Sequence, residues 1–219
     1  MKQTVLSQTE ISPGVFLLAV ERRFDFLPGQ TVKIGVGDGQ PPRIYSICSG
    51  NQDAELKILY NVKNDGSLTP QLARVKPGDT LELSEPGGSF IGTAEPAVWI
   101  ATGTGIAPFY SMLRSGLAEN KILVHGVRRA NQFYFSKDWK KALGVHYHRF
   151  CSREEGDEFS LGRVNGFLET EELSNGFDRL TTGDWKYYLC GQVEMCVEMR
   201  DLLISKGIPF GRIVAEIYF

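Results

Sequence analysis

Ala97-Val98-Trp99-Ile100-Ala101-Thr102-Gly103-Thr104-Gly105-Ile106-Ala107-Pro108 is the stretch that decides the fold. Its first five residues form a continuous apolar run, as expected of a strand buried on both faces in a parallel sheet. A glycine turn follows, and then a helical stretch from Ile106 to Leu117. Strand, glycine turn and helix in this order place a ligand site outside the C-terminal end of the strand. Gly103 and Gly105 let the backbone approach a ligand closely, and the start of the helix favours an anion. The segment is neither a Walker A loop nor a full GxGxxG, so its context carries its weight.

That context is consistent on the C-terminal side. Lys121-Ile122-Leu123-Val124 and Tyr187-Tyr188-Leu189-Cys190 read as further buried strands, and a helical pattern runs from Val193 to Ser205. Strands alternating with helices imply an α/β layer on a parallel sheet. On the N-terminal side the rhythm differs. Gly14–Val20 is an apolar run, while Thr31–Val36, Leu56–Tyr60 and Leu81–Leu83 alternate, with Pro28-Gly29 and Pro77-Gly78 as turn dipeptides. Short strands at this spacing predict a small antiparallel β-barrel. The segment Glu85–Gly92 is the natural boundary. The expected organisation is therefore an antiparallel barrel over residues 1–91 and a parallel α/β nucleotide-binding domain over residues 92–219.

Composition narrows the classes. A formal net charge of -2 gives no global attraction to nucleic acid or an anionic membrane. The N-terminal residues lack the apolar stretch of a secretory signal, and no apolar run approaches the about 20 residues of a membrane span. A cytoplasmic protein is expected. Cys48, Cys151, Cys190 and Cys196 form no CxxC pair and have no iron–sulfur or zinc spacing. His146 and His148 sit two apart in a probable strand with no acid or Cys partner in view, and His125 reads as polar or cofactor-adjacent. No metal site is expected.

Several other segments carry chemistry. In Arg43-Ile44-Tyr45-Ser46, Arg43 and Tyr45 share one face of a strand. An Arg donates bidentately to phosphate, a Tyr ring stacks on a flat ligand, and Ser46 adds a small donor. Taken alone, the four residues also read as an edge strand with a surface Arg. Gly66-Ser67-Leu68-Thr69 reads as a helix start whose backbone N–H groups can meet phosphate, or as a simple N-cap. Ser152-Arg153 follows a strand at Tyr147–Phe150, and Gly162-Arg163 comes ten residues after Arg153. Glu154 and Glu155 follow at once, and an acid turned toward a phosphate there would weaken such a site. The chain closes on Glu216-Ile217-Tyr218-Phe219, whose adjacent aromatics call for a cover.

Read in order, these motifs resemble the ferredoxin (flavodoxin)–NADP reductase family, bacterial-like and without a fused iron–sulfur domain. The resemblance spans nearly the whole chain. It implies an FAD-dependent oxidoreductase that moves a hydride between NADP(H) and flavin N5, and single electrons between the flavin and a ferredoxin or flavodoxin. It places Tyr45 against the isoalloxazine and Ser46 near N5. Arg43, Gly66 and Ser67 fall at the FAD pyrophosphate, with Thr69 beside it, and Ile44, Tyr60 and Leu68 also lie in the FAD set. Thr102, Gly103, Thr104, Gly105, Pro108, Gly191 and Met195 fall with the NADP. Ser152, Arg153 and Arg163 match a clamp on its 2′-phosphate, and Arg128 lies near the same phosphates. Cys190 is set against the nicotinamide. Glu216 is implied as a polarising group or proton relay. Tyr218 or Phe219 covers the other flavin face and must be displaced before hydride transfer; Phe219 is one residue more than the plant-type ending, and the resemblance also allows it to pack on the FAD adenine. Ser46, Cys190, Glu216 and Tyr218 are thus the catalytic candidates. Lys137, Lys140 and Lys141 offer a basic rim for an acidic carrier, or a solvated helix face.

Two neighbouring activities share this pattern: the reductase component of an oxygenase system using a separate ferredoxin, and an NADPH-dependent flavin reductase. A non-catalytic nucleotide-binding subunit is the reading from another class, and a colourless protein that cannot take up FAD would mark it.

Overall fold

The computed structural model describes residues 1–37, 39–169 and 184–218. The chain forms two compact units. One comprises Met1–Gly92 with Ala107–Gly116, the other Thr93–Ile106 with Leu117–Phe219.

The first unit is built on six antiparallel strands: β1 (Lys2–Ser12), β2 (Val15–Glu21), β3 (Thr31–Gly35), β4 (Arg43–Ser46), β5 (Glu55–Asn61) and β6 (Thr80–Leu83), in the order β4-β3-β6-β1-β2-β5. The expected barrel is present as a curled sheet whose ladder does not close. Past β4, its two outer strands are tied by an isolated bridge between Ile47 and Ile58 and a bond from Cys48 N–H to the Lys57 carbonyl, 2.7 Å. Alternation explains the core: Val32, Ile34, Leu56, Ile58, Leu81 and Leu83 all point inward. Burying each such side chain contributes about 1.5–3 kcal/mol. Helix α1 is short, Thr69–Leu72. Helix α2, Ala107–Arg114, also belongs to this unit and packs Phe109 edge-on against Phe90 at 5.6 Å.

The second unit holds a parallel sheet of β7 (Ala97–Thr102), β8 (Lys121–Val127), β9 (Tyr147–Cys151), β10 (Ser160–Leu161), β11 (Lys186–Gln192) and β12 (Ile213–Tyr218), ordered β10-β9-β8-β7-β11-β12. The apolar run of β7 is continuous because both of its faces are covered. Val98 and Ile100 face the cluster of Met195, Met199 and Leu203 on α4 (Val193–Ser205). Trp99 meets Trp139 of α3 (Ser136–Leu143) at 6.4 Å, edge to face. The glycine segment after β7 is a 3-10 turn, Gly103–Ile106, so the α-helix begins one residue later than its pattern predicts and ends at Arg114 rather than Leu117. No described helix is long and apolar enough to cross a membrane.

Candidate active site

Parallel strands bring all their C-terminal ends to one edge, and the predicted nucleotide residues of the second unit gather there. Thr102 pairs with Gly126, and Ala101 with both His125 and Cys190. The ladders continue past the strands: Ser152 N–H donates to the Val127 carbonyl at 3.0 Å, and Gly162 N–H to the Cys151 carbonyl at 2.9 Å. Arg128, Ser152-Arg153 and Gly162-Arg163 therefore follow β8, β9 and β10 side by side. Arg128, Ser152, Arg153 and Arg163 are exposed. From β10 to β11 the edge spans four strand spacings, about 19 Å, the reach of an extended dinucleotide. Arg163 has a distant partner, Glu198 at 3.9 Å, with both side chains largely exposed, and such a pair contributes little.

The middle of this edge is a cradle. Gly103 has φ +55° and Gly191 φ +151°, conformations that L side chains seldom adopt. Gly105 packs against the strand end so closely that an added Cβ would lie 2.3 Å from the Cys190 carbonyl oxygen. At Gly191 it would lie 2.1 Å from Thr102 Oγ1. That hydroxyl is buried with no hydrogen-bond partner among the described residues. Buried polar groups are rarely left so, and a polar ligand edge over Gly191 would satisfy it. Thr104 is half-buried, while Pro108 and Met195 are buried.

Cys190, Glu216 and Tyr218 converge. Parallel pairing sets Cys190 beside Glu216 and Gln192 beside Tyr218. Cys190 is fully buried. Burial holds its thiol well above the usual thiol range, the Glu216 carboxylate adds to this, and a hydrogen bond with Tyr218 opposes it. It is a neutral thiol, suited to contact rather than to nucleophilic attack. Residues up to Tyr218 form strand β12. Phe219 lies outside the described residues.

In the first unit, Arg43 and Ile44 are exposed, Tyr45 half-buried and Ser46 buried on strand β4. Ile44, 63% exposed, is a large apolar side chain without cover. Tyr45 has its hydroxyl pushed up to about 12 by burial, opposed by Arg43. Its ring meets Tyr60 edge-on at 6.1 Å. Tyr60 itself is 2% exposed, and its hydroxyl donates to Gln8 Oε1 at 3.0 Å. It supports Tyr45 from behind. Gln8, whose amide also donates to the Leu72 and Val75 carbonyls, went unread in the sequence because nothing local marks it. The Gly66–Thr69 segment differs from its expected form. Gly66 N–H is used within a turn, donating to the Lys63 carbonyl at 2.9 Å, and the helix begins only at Thr69. Thr69 Oγ1 accepts the Lys63 N–H at 2.9 Å. Exposed Ser67 and buried Leu68 lie between them.

His125 is buried under the cradle, with Nδ1 3.1 Å from the Tyr147 hydroxyl. Burial depresses its pKa to about 3, with Arg149 acting the same way and the Gly103 carbonyl opposing. It is a neutral core residue. His148 packs on Phe167 at 4.9 Å. Among the described residues no group of His, Cys, Asp or Glu is arranged to hold a metal. Of the lysine cluster, Lys140 pairs with Glu158 at 2.9 Å.

The oxidoreductase NAD-binding domain family matches residues 99–201. A ferredoxin–NADP reductase of Pseudomonas aeruginosa is 30% identical over 87% of this chain and 83% of its own length. The flavodoxin/ferredoxin–NADP reductase of Escherichia coli K12 is 30% identical over 78% of this chain and 75% of its own. The electron transfer component of a Pseudomonas putida toluate 1,2-dioxygenase is 27% identical over 84% of this chain and 56% of its own. Among solved structures, a ferredoxin NADP+ reductase from Neisseria gonorrhoeae with bound FAD and NADP superposes with TM-score 0.85 at 23% identity, covering 100% of this chain and 98% of its own.

Proposed function

The chain belongs to the ferredoxin–NADP reductase family, and from that premise we propose that it is an FAD-dependent oxidoreductase exchanging a hydride with NADP(H) and single electrons with a ferredoxin- or flavodoxin-type carrier. The observation that carries this is the ordered edge of the parallel sheet. Three exposed arginines lie at one end of that edge, the glycine cradle in its middle, and Cys190 with Tyr218 at the other. A phosphate-rich, flat-ended dinucleotide matches that sequence of groups.

On this reading residues 1–91 hold FAD and residues 92–219 hold NADP(H). FAD supplies the chemistry that no side chain here can, interconverting a hydride pair and single electrons. The protein's part is to bind and orient. Arg43 donates to the FAD pyrophosphate, and Ser67 and Leu68 offer backbone N–H groups, Gly66 having spent its own in the turn. Tyr45 presents its ring, braced by Tyr60, and Ile44 gains cover. Arg153, Arg163, Arg128 and Ser152 hold the 2′-phosphate. Thr102 Oγ1 and the Gly103–Gly105 backbone take the polar groups nearer the nicotinamide. Cys190 would lie against the nicotinamide, and Tyr218, whose hydroxyl engages that thiol, would have to move aside to admit it. Burial, with the Glu216 carboxylate adding to it, keeps the Cys190 thiol protonated, and Glu216 is the candidate relay for a proton at this corner.

The test is reduction of purified ferredoxin and flavodoxin by the FAD-loaded protein with NADPH as donor and NADH as control. Carrier reduction with a strong NADPH preference is expected. A flavin-replete protein that reduces neither carrier would sink the proposal. The toluate dioxygenase relative favours a second reading, service to an oxygenase through a separate ferredoxin. Reduction of an oxygenase-type ferredoxin but of no flavodoxin would select it.

A further inference from the structure

We propose that Glu154 is a positioning residue for nucleotide specificity, a latch that holds the Ser152-Arg153 loop against the Arg128 turn. This rests on the reading of Arg128, Ser152, Arg153 and Arg163 as the contacts of the NADP 2′-phosphate. An acid directly after Arg153 is a liability beside a phosphate, because it repels the ligand and offers Arg153 a competing partner. The geometry removes that liability. The Glu154 carboxylate turns across to the neighbouring strand end, where Oε2 accepts the Ala130 N–H at 2.7 Å and Oε1 lies 3.6 Å from Arg129 Nη1. The Glu154 side chain is 37% exposed and that of Arg129 64%. The ion pair is therefore the weaker link, and the charge-assisted bond to the backbone the stronger.

What the latch closes is a turn built around Arg128. The N–H groups of Arg128 and Arg129 both donate to Gln132 Oε1, at 3.2 and 3.0 Å, and Glu154 takes the next one, that of Ala130. Nearer the sheet, Ser152 N–H donates to the Val127 carbonyl and the Cys151 thiol to the Arg128 carbonyl at 3.3 Å. Glu154 extends this seam past the end of the ladder, to the Ala130 N–H. Its charge is set against Arg129, while the side chains of Arg128 and Arg153 make no ion pair among the described residues. Two arginines on paired strand ends, without an ion-pair partner among the described residues, suit a preorganised phosphate site.

The experiment compares 2′-phospho-AMP with AMP by calorimetric titration of the FAD-loaded protein, together with KM and kcat for NADPH and NADH. Glu154→Ala is expected to weaken 2′-phospho-AMP and raise KM for NADPH about tenfold, leaving AMP, KM for NADH and both kcat values within about twofold. Glu154→Gln keeps an acceptor for Ala130 N–H and is expected to retain most of the 2′-phospho-AMP affinity. Tighter 2′-phospho-AMP binding in Glu154→Ala would mean that the acid competes with the phosphate, and equal losses for AMP and 2′-phospho-AMP would mean that it only stiffens the loop. Either result overturns the proposal. Arg153→Ala runs in parallel. If it weakens 2′-phospho-AMP while Glu154→Ala does not, the latch is wrong and the phosphate reading stands. If it leaves 2′-phospho-AMP unchanged, the phosphate reading fails and the role of Glu154 falls with it.

Discussion

The two units each carry a six-stranded sheet, yet they collect their candidate residues in opposite ways. In the parallel sheet, every strand ends at the same edge, so residues from Thr102 to Tyr218, far apart in sequence, become neighbours through topology alone. In the antiparallel sheet, strand ends alternate, and no edge gathers chemistry. The candidates there sit on a single strand, Arg43–Ser46, and a loop around Gly66, supported from behind by Tyr60 and Gln8. One candidate site is laid out by the fold, the other by one strand and its braces. The second unit should therefore lose ligand contacts one at a time, whereas the first should respond through packing.

The largest effect expected is in the parallel unit. Replacing Arg153 and Arg163 together with Ala removes two charge-assisted contacts worth about 1.5–3 kcal/mol each. KM for NADPH should rise on the order of 100-fold or more with KM for NADH nearly unchanged, as steady-state kinetics will show. Equal losses for both nucleotides would break the division of labour along the sheet edge. Next come the two glycine loops. Gly105→Ala forces a Cβ to 2.3 Å from a backbone oxygen and should cost about 3 kcal/mol. At Gly66 the nearest atom is the Lys63 oxygen at 3.1 Å, and Gly66→Ala should cost under about 1 kcal/mol in thermal melts. The reverse ranking would contradict the claim that the tighter cradle lies in the parallel unit.

A pH experiment isolates the second unit further. His125 has a folded pKa near 3 against 6.5 for the free side chain. As pH falls through 6.5 the unfolded chain takes up a proton that the folded chain refuses, so stability is lost from there down toward 3. Between about pH 7 and about pH 5 the wild type should lose about 2 kcal/mol more than His125→Phe. A parallel decline of both proteins would mean that His125 is not held neutral. The smallest effect belongs to the antiparallel unit. Tyr60→Phe deletes the bond to Gln8 and should cost about 1 kcal/mol, loosening FAD while leaving 2′-phospho-AMP affinity untouched. A loss of nucleotide affinity in that variant would blur the comparison.

The parallel half was the more legible in sequence, for the same reason. A buried apolar strand followed by glycine and a helix declares its place in the sheet, and the Ala97–Pro108 and Cys190–Ser205 segments fold as strand, turn and helix. Antiparallel order is not encoded this way. Strand β1, Lys2–Ser12, went unread because few of its residues face the core, among them Gln3 and Val5, and its register shifts between Val5 and Ser7. It becomes a strand through its neighbours β2 and β6. Strand β12 was hidden because Glu216-Ile217-Tyr218 carries an aromatic signal stronger than its strand pattern. The direction in which Glu154 turns depends on an acceptor-seeking N–H at Ala130, on a different strand end, which local pattern cannot supply.

The central claim is that the parallel edge delivers NADPH to a flavin held by the antiparallel unit. It is tested most directly by mixing the FAD-loaded protein anaerobically with NADPH, and separately with NADH, while following the visible flavin absorbance. The account predicts rapid bleaching by NADPH, slower by at least about tenfold with NADH. A protein that binds no FAD, or a flavin that bleaches equally with both nucleotides, would contradict it.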